Sequence, residues 1–136
     1  MEPYQHVIQY YETDKMGITH HSNYIRWMEE ARVDFLNQLG IGYDQLEKMG
    51  IIVPVTGVSC KFKKSTTFPE TIRISVSLIS YRNVLLTFRY VMKNQAEQIV
   101  LEGESEHCLM TPDGAFLRLN RQFPAIHELL LSLQTE

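Results

Sequence analysis

The sequence predicts an α+β domain in which a curved antiparallel sheet wraps round one long central helix. Three observations carry that expectation. A single stretch, Tyr24 to Leu39, repeats apolar residues at helical spacing over an unusually broad face. For about seventy residues after Gly50 the pattern alternates instead at the strand period. The resulting order is strand, long helix, then four or five strands joined by short turns. A helix that is apolar over most of its circumference has to be surrounded, and a strongly curved sheet can do that.

The elements follow in turn. Tyr4, His6, Ile8 and Tyr10 alternate with polar residues and predict a half-buried strand ending near Glu12. Tyr24, Met28, Ala31, Phe35 and Leu39, widened by Ile25, Trp27 and Leu36, predict a helix of about sixteen residues that Gly40 stops. Ser22 or Asn23 is expected to cap its first turn, and Arg26, Glu29 and Arg32 stand at ion-pairing intervals. A short helix spans Tyr43 to Met49. Strands then cover Ile72 to Leu78 and Leu86 to Met92, joined through Ser80 to Asn83, and a third strand covers Ile99 to Leu109. The turn TPDG, Thr111 to Gly114, leads into a short strand AFLRL, and Pro124 opens a final helix.

With 136 residues, the chain is expected to form one domain, 1–136. A hydrophobic fraction of 44% and a charged fraction of 21% are those of a soluble globular protein, and no run approaches the ~18 apolar residues of a membrane span. MEPYQHVIQY has neither the basic start nor the apolar run of a secretory signal, so a cytoplasmic location is expected. Cys60 and Cys108 form no CxxC and read as two buried or half-buried thiols, with a disulfide between them as the alternative that spacing leaves open. The net charge of −3 and the lack of a long basic block argue against nucleic-acid binding. KFKK, Lys61 to Lys64, is the one cationic cluster, suited either to a solvated strand end or to a small polyanion.

The concentrated chemistry lies between Glu12 and Arg32. Asp14 follows the first strand, Gly17 lets the chain turn or approach a ligand closely, and His21 stands at the mouth of the long helix. Unpaired N–H groups and the positive end of the macrodipole at that point suit an oxygen that gains negative charge. On residue types alone Asp14 reads first as a turn former or a helix cap, and the His pair as a satisfied polar cluster. Asp14, His20 and His21 lack metal-ligand spacing, so no metal is expected. Neither a GxSxG nucleophile turn nor a Gly-rich phosphate loop is present.

The run Thr13, Asp14, Gly17, His21, Asn23, Tyr24, Trp27, Glu29, Ala31 and Arg32 resembles the signature of hotdog-fold acyl-CoA thioesterases of the 4-hydroxybenzoyl-CoA thioesterase type, in their bacterial acyl-CoA thioester hydrolase branch. PETIRISVSL, Pro69 to Leu78, and RQFP, Arg121 to Pro124, extend the similarity over nearly the whole chain. The sequence departs from the usual form at Glu12, where many relatives have Asp, and at His20, where many have Tyr.

The resemblance implies hydrolysis of an acyl-CoA to free acid and CoA, with no cofactor beyond the CoA of the substrate. Asp14 matches the catalytic carboxylate, as attacking group or as general base. The backbone N–H near His21 matches the donor to the thioester carbonyl, with His21 orienting the thioester or assisting the thiolate, and Gly17 keeps the loop between them tight. Tyr24 and Glu29 fall on the substrate side of the helix, although Glu29 equally fits a surface pair with Arg26 or Arg32. Arg82 matches a region facing the nucleotide of CoA, and Lys63 and Lys64 are further candidates for its phosphates. A homodimer or homotetramer is implied, with sites at the interface. The competing functions are a thioesterase for acyl carrier protein, which needs a basic rim, and a non-catalytic acyl-CoA-binding hotdog protein, which has no use for an acid at position 14.

Overall fold

A computed structural model describes residues 1–134 of the protein. The elements in chain order are β1 (Tyr4–Val7), a 3-10 turn (Tyr10–Glu12), α1 (Ser22–Gln38), α2 (Tyr43–Lys48), β2 (Val55–Phe62), β3 (Thr71–Arg82), β4 (Leu85–Lys93), β5 (Ile99–Cys108), α3 (Leu119–Gln122) and α4 (Pro124–Leu133). All five strands belong to one antiparallel sheet in the order β1-β3-β4-β5-β2, which is the predicted α+β hotdog class. The chain divides into two compact units, Met1–Phe35 with Cys60–Val76 and Tyr90–Gly103, and Leu36–Ser59 with Ser77–Arg89 and Glu104–Glu136. Strands β2 to β5 and α1 each run through both.

In the first unit β1 pairs with the start of β3 in the register Tyr4↔Ile74 to Val7↔Thr71. Ile72 and Ile74 of β3 are fully buried there, as are Ile8 and Trp27. Desolvation of these large apolar groups supplies the main driving force for the unit. Along α1 the residues Tyr24, Trp27, Met28, Ala31 and Phe35 are buried, the i, i+3, i+4 pattern of one amphipathic face. Ile25 departs from the expected stripe. It is 49% exposed, because it falls on the side of the helix that carries Arg26, Glu29 and Glu30. The second unit has its own apolar core, in which Leu36, Leu46, Ile51, Leu86, Phe88 and Leu109 surround a void of about 20 Å³.

Three expected boundaries are corrected. β1 stops at Val7 rather than near Glu12, because the Glu12 carboxylate accepts the Gln9 N–H and bends the chain into the 3-10 turn. The β3–β4 connection is the pair Asn83–Val84, with Asn83 in the left-handed region at φ 60°, so both strands are longer than the alternation suggested. AFLRL forms only an isolated bridge, Met110↔Phe116, before Leu119 turns into α3.

Candidate functional site

The segment from Glu12 to His21 is a closed loop. Thr13 and Thr19 form an isolated bridge, the Asp14 N–H donates to Ile18 O (2.9 Å), and the Gly17 N–H donates to Asp14 O (2.9 Å). Gly17 sits at φ +79°, a conformation that side chains with a Cβ rarely adopt. The His20 N–H donates to Glu12 O (2.9 Å) and shuts the base of the loop. Asp14 is half-buried, and its Oδ1 accepts the Met16 N–H at 2.8 Å in a local side-chain turn. Among the described residues Asp14 Oδ2 has no hydrogen-bond partner. A carboxylate with one oxygen fixed and the other free is oriented while its reactive lone pairs stay available.

At the start of α1 the orphan N–H groups expected of any helix are mostly taken. The Ser22 N–H donates to His20 Nδ1 (3.2 Å), Asn23 N–H to His20 O (3.0 Å) and Tyr24 N–H to His21 O (3.3 Å). The His21 N–H alone among these has no partner among the described residues. It therefore remains a donor at the positive end of the helix. The expected caps are corrected here. His20 Nδ1 accepts the Ser22 N–H and also lies 2.9 Å from the Ser22 hydroxyl, while Asn23 Nδ2 donates to Glu12 O (3.0 Å) and His20 O (3.3 Å). The His20 and His21 rings stack with centroids 4.2 Å apart.

Threonines fasten this loop to the segment after β2. The Thr19 N–H donates to Thr66 O (2.9 Å), the two hydroxyls are 2.7 Å apart, and Thr67 Oγ1 donates to Gly17 O. Tyr24 is buried, its hydroxyl 2.9 Å from Thr66 Oγ1, and burial pushes its pKa up. Lys63 and Lys64 lie in the same stretch, exposed, with their N–H groups on Val100 O. The first unit thus contains Asp14, Gly17, His21, Tyr24, Glu29, Lys63 and Lys64, whereas Arg82 ends β3 in the second unit. Glu29 is exposed and makes no ion pair among the described residues, so the expected surface pairing with Arg26 or Arg32 is not formed. Arg32 is buried instead, with Nη1 donating to the Tyr90 hydroxyl (2.9 Å).

Sequence reasoning missed Glu12, which is 6% exposed. Its Oε1 accepts the Gln9 N–H (2.8 Å) and lies 2.9 Å from His6 Nε2, and its Oε2 accepts Trp27 Nε1–H (2.8 Å). Burial alone would raise the carboxyl pKa, but these three contacts outweigh it and hold Glu12 below the usual carboxylate value. A polar residue after a strand offers no signal for such a role. Both cysteines carry free thiols, and burial raises the pKa of Cys60, which makes it a poor nucleophile.

The family model described as the thioesterase-like superfamily matches residues 8–130. A protein of Bacillus subtilis described as a putative acyl-CoA thioesterase is 30% identical over 121 residues, covering 88% of each chain. A putative esterase of Aquifex aeolicus is 33% identical over 107 residues, 79% of this chain and 83% of its own. Among solved structures, a DHNA-CoA thioesterase from Staphylococcus aureus superposes with a TM-score of 0.89 at 34% identity, over 96% of this chain and 88% of its own.

Proposed function

Since the chain belongs to the thioesterase-like superfamily, we propose that it hydrolyses acyl-CoA thioesters to a free acid and CoA, with Asp14 as the catalytic carboxylate. The observation that carries this reading is that one closed loop holds both a carboxylate oxygen and a helix-start N–H that have no partner among the described residues. Those are the two groups thioester hydrolysis requires. The His21 N–H donates to the carbonyl oxygen as it becomes an oxyanion, a kind of contact worth ~10² to 10³ in rate. Asp14 Oδ2 either takes a proton from the attacking water, or attacks the carbonyl itself to give a mixed anhydride that water then hydrolyses to the free acid, restoring the carboxylate. CoA thiolate then leaves, with the exposed His21 ring beside it. Lys63 and Lys64 serve the CoA phosphates from a segment hydrogen-bonded to the loop, Arg82 serves the nucleotide, and Tyr24 and Glu29 border the acyl group.

CoA is favoured over acyl carrier protein because an acidic protein partner needs a broad basic rim, which a chain of net charge −3 offers poorly, whereas CoA needs only a local cationic cluster such as Lys61 to Lys64. The working form is a homodimer or a higher oligomer in the cytoplasm. Strand β2 supports this, since it is an edge of the sheet and leaves Val55, Val58 and Phe62 exposed.

The test is thiol release from a panel of short aliphatic, long aliphatic and aryl CoA thioesters, by wild type and by Asp14→Asn. The amide is nearly isosteric but neither attacks nor accepts a proton effectively. It should fold normally and lose ~10² to 10⁴ in kcat. Near-normal turnover would remove Asp14 from the mechanism. Binding of acyl-CoA by wild type without any thiol release would mark a binding protein instead.

A further inference from the structure

We propose that Glu12 is a positioning residue for this reaction, its buried carboxylate and carbonyl together fixing both ends of the loop that carries Asp14 and the His21 N–H. The inference rests on the role given to Asp14 above. Its basis is the number of elements that converge on one side chain. Oε1 holds the Gln9 N–H and so sets the bend out of β1, His6 approaches the same oxygen from β1, and Oε2 holds Trp27 Nε1–H from the second turn of α1. The carbonyl of Glu12 accepts both the His20 N–H and Asn23 Nδ2. One residue therefore ties the strand before the loop, the loop's own base and the helix after it.

Asp14 is two residues beyond this anchor on one side, and His21 is one residue beyond His20 on the other. A shift of Glu12 is transmitted to both groups at once, through backbone rather than through flexible side chains. The geometry also requires a carboxylate. Two N–H donors, Gln9 and Trp27, point at its two oxygens. An amide presents one oxygen and one NH₂, so either way round it sets a donor against a donor.

The other ionisable groups facing this cluster are His6, Glu30, whose Oε2 is 3.4 Å from His6 Nδ1, and Tyr4, whose hydroxyl donates to Glu30 Oε2 at 3.4 Å. Trp27 is the chain's single tryptophan, and the His6 ring lies tilted against it, with centroids 4.6 Å apart. Its fluorescence is thus a direct report on the Glu12 contact.

The experiment compares Glu12→Gln and Glu12→Asp with wild type, at a temperature where circular dichroism shows all three folded. Glu12→Gln should shift Trp27 emission and lower kcat by on the order of 10²-fold, the scale of a 1 Å misplacement, while KM stays within about twofold. Glu12→Asp keeps the charge and should recover most of that kcat. Combining Glu12→Gln with Asp14→Asn should cost no more than Asp14→Asn alone, since the two act through one group. A merely structural role would lower the melting temperature and leave this kinetic pattern unmoved. If Glu12→Gln does not fold, Trp27→Phe removes the N–H that Oε2 accepts while keeping an aromatic ring in place, and should still lower kcat several-fold at constant KM. A kcat within about threefold of wild type in the folded variant, a loss carried by KM, or an Asp variant as slow as the Gln variant overturns the proposal. An inactive Asp14→Asn beside a fully active Glu12→Gln would sink this inference alone, and an active Asp14→Asn would sink the assignment beneath it.

Discussion

A carboxylate that is 6% exposed survives in its charged form only when hydrogen bonds replace its hydration, and Glu12 has three such contacts through its two oxygens. Its folded pKa lies below the ordinary glutamate value, so the folded state holds the proton less readily than the unfolded chain. The stabilisation is therefore present above the unfolded value and is lost as the pH falls through the lower, folded one. Denaturant unfolding followed across the acid range should show wild type losing stability more steeply than Glu12→Gln, which has no proton to bind there. Parallel curves would mean that Glu12 does not titrate with folding. Asp14, two residues on, was singled out only by the resemblance to the thioesterase signature, since its residue type and its place after a strand read first as a turn former. Glu12 was not, because its role depends on His6, Gln9 and Trp27 converging on one point, and sequence spacing encodes no such convergence.

At the scale of elements, the loop from Glu12 to His21 depends on backbone conformation as much as on side chains. Gly17 at φ +79° has nothing within 4 Å of where a Cβ would stand, so Gly17→Ala meets conformational strain rather than a clash. The cost should be on the order of 1 kcal/mol, or roughly 4 °C in melting temperature. Gly40 has the same φ, an equally open surrounding and a place outside the loop. Gly40→Ala should thus match the stability loss and keep full kcat, whereas Gly17→Ala should lose kcat as well. Equal kcat in the two variants would separate Gly17 from the site. Strand β4 was readable because one buried and one open face impose a period of two along its length, and β3 and β5 because the same period holds over Ile72 to Leu78 and Leu101 to His107. AFLRL carries the same alternation yet makes only one bridge, since Leu117 bonds back to Leu109 and Leu119 opens a helix. Alternation reports a face to be buried, and here that face is filled without a ladder.

At the scale of the whole molecule, edge strand β2 leaves Val55, Val58 and Phe62 open, and its exposure pattern lacks the clean alternation of the interior strands. The family resemblance implied an oligomer with sites at its interface, without locating that surface on this chain. A shared site can be tested without knowing the natural acyl group. Suppose Asp14 and the start of α1 come from one subunit and Arg82 from the other. Two different inactive variants should then complement each other. Mixing Asp14→Asn subunits with subunits altered only at Arg82 gives heterodimers with one doubly damaged site and one intact site. Random exchange makes about half of the dimers mixed, so hydrolysis should recover toward roughly a quarter of wild type if the sites act independently. That recovery follows from two-fold symmetry, in which each subunit offers the same patch to both sites. With exchange verified by native mass spectrometry, activity that stays at the level of the parents would place both residues in one subunit's site, or Arg82 outside it.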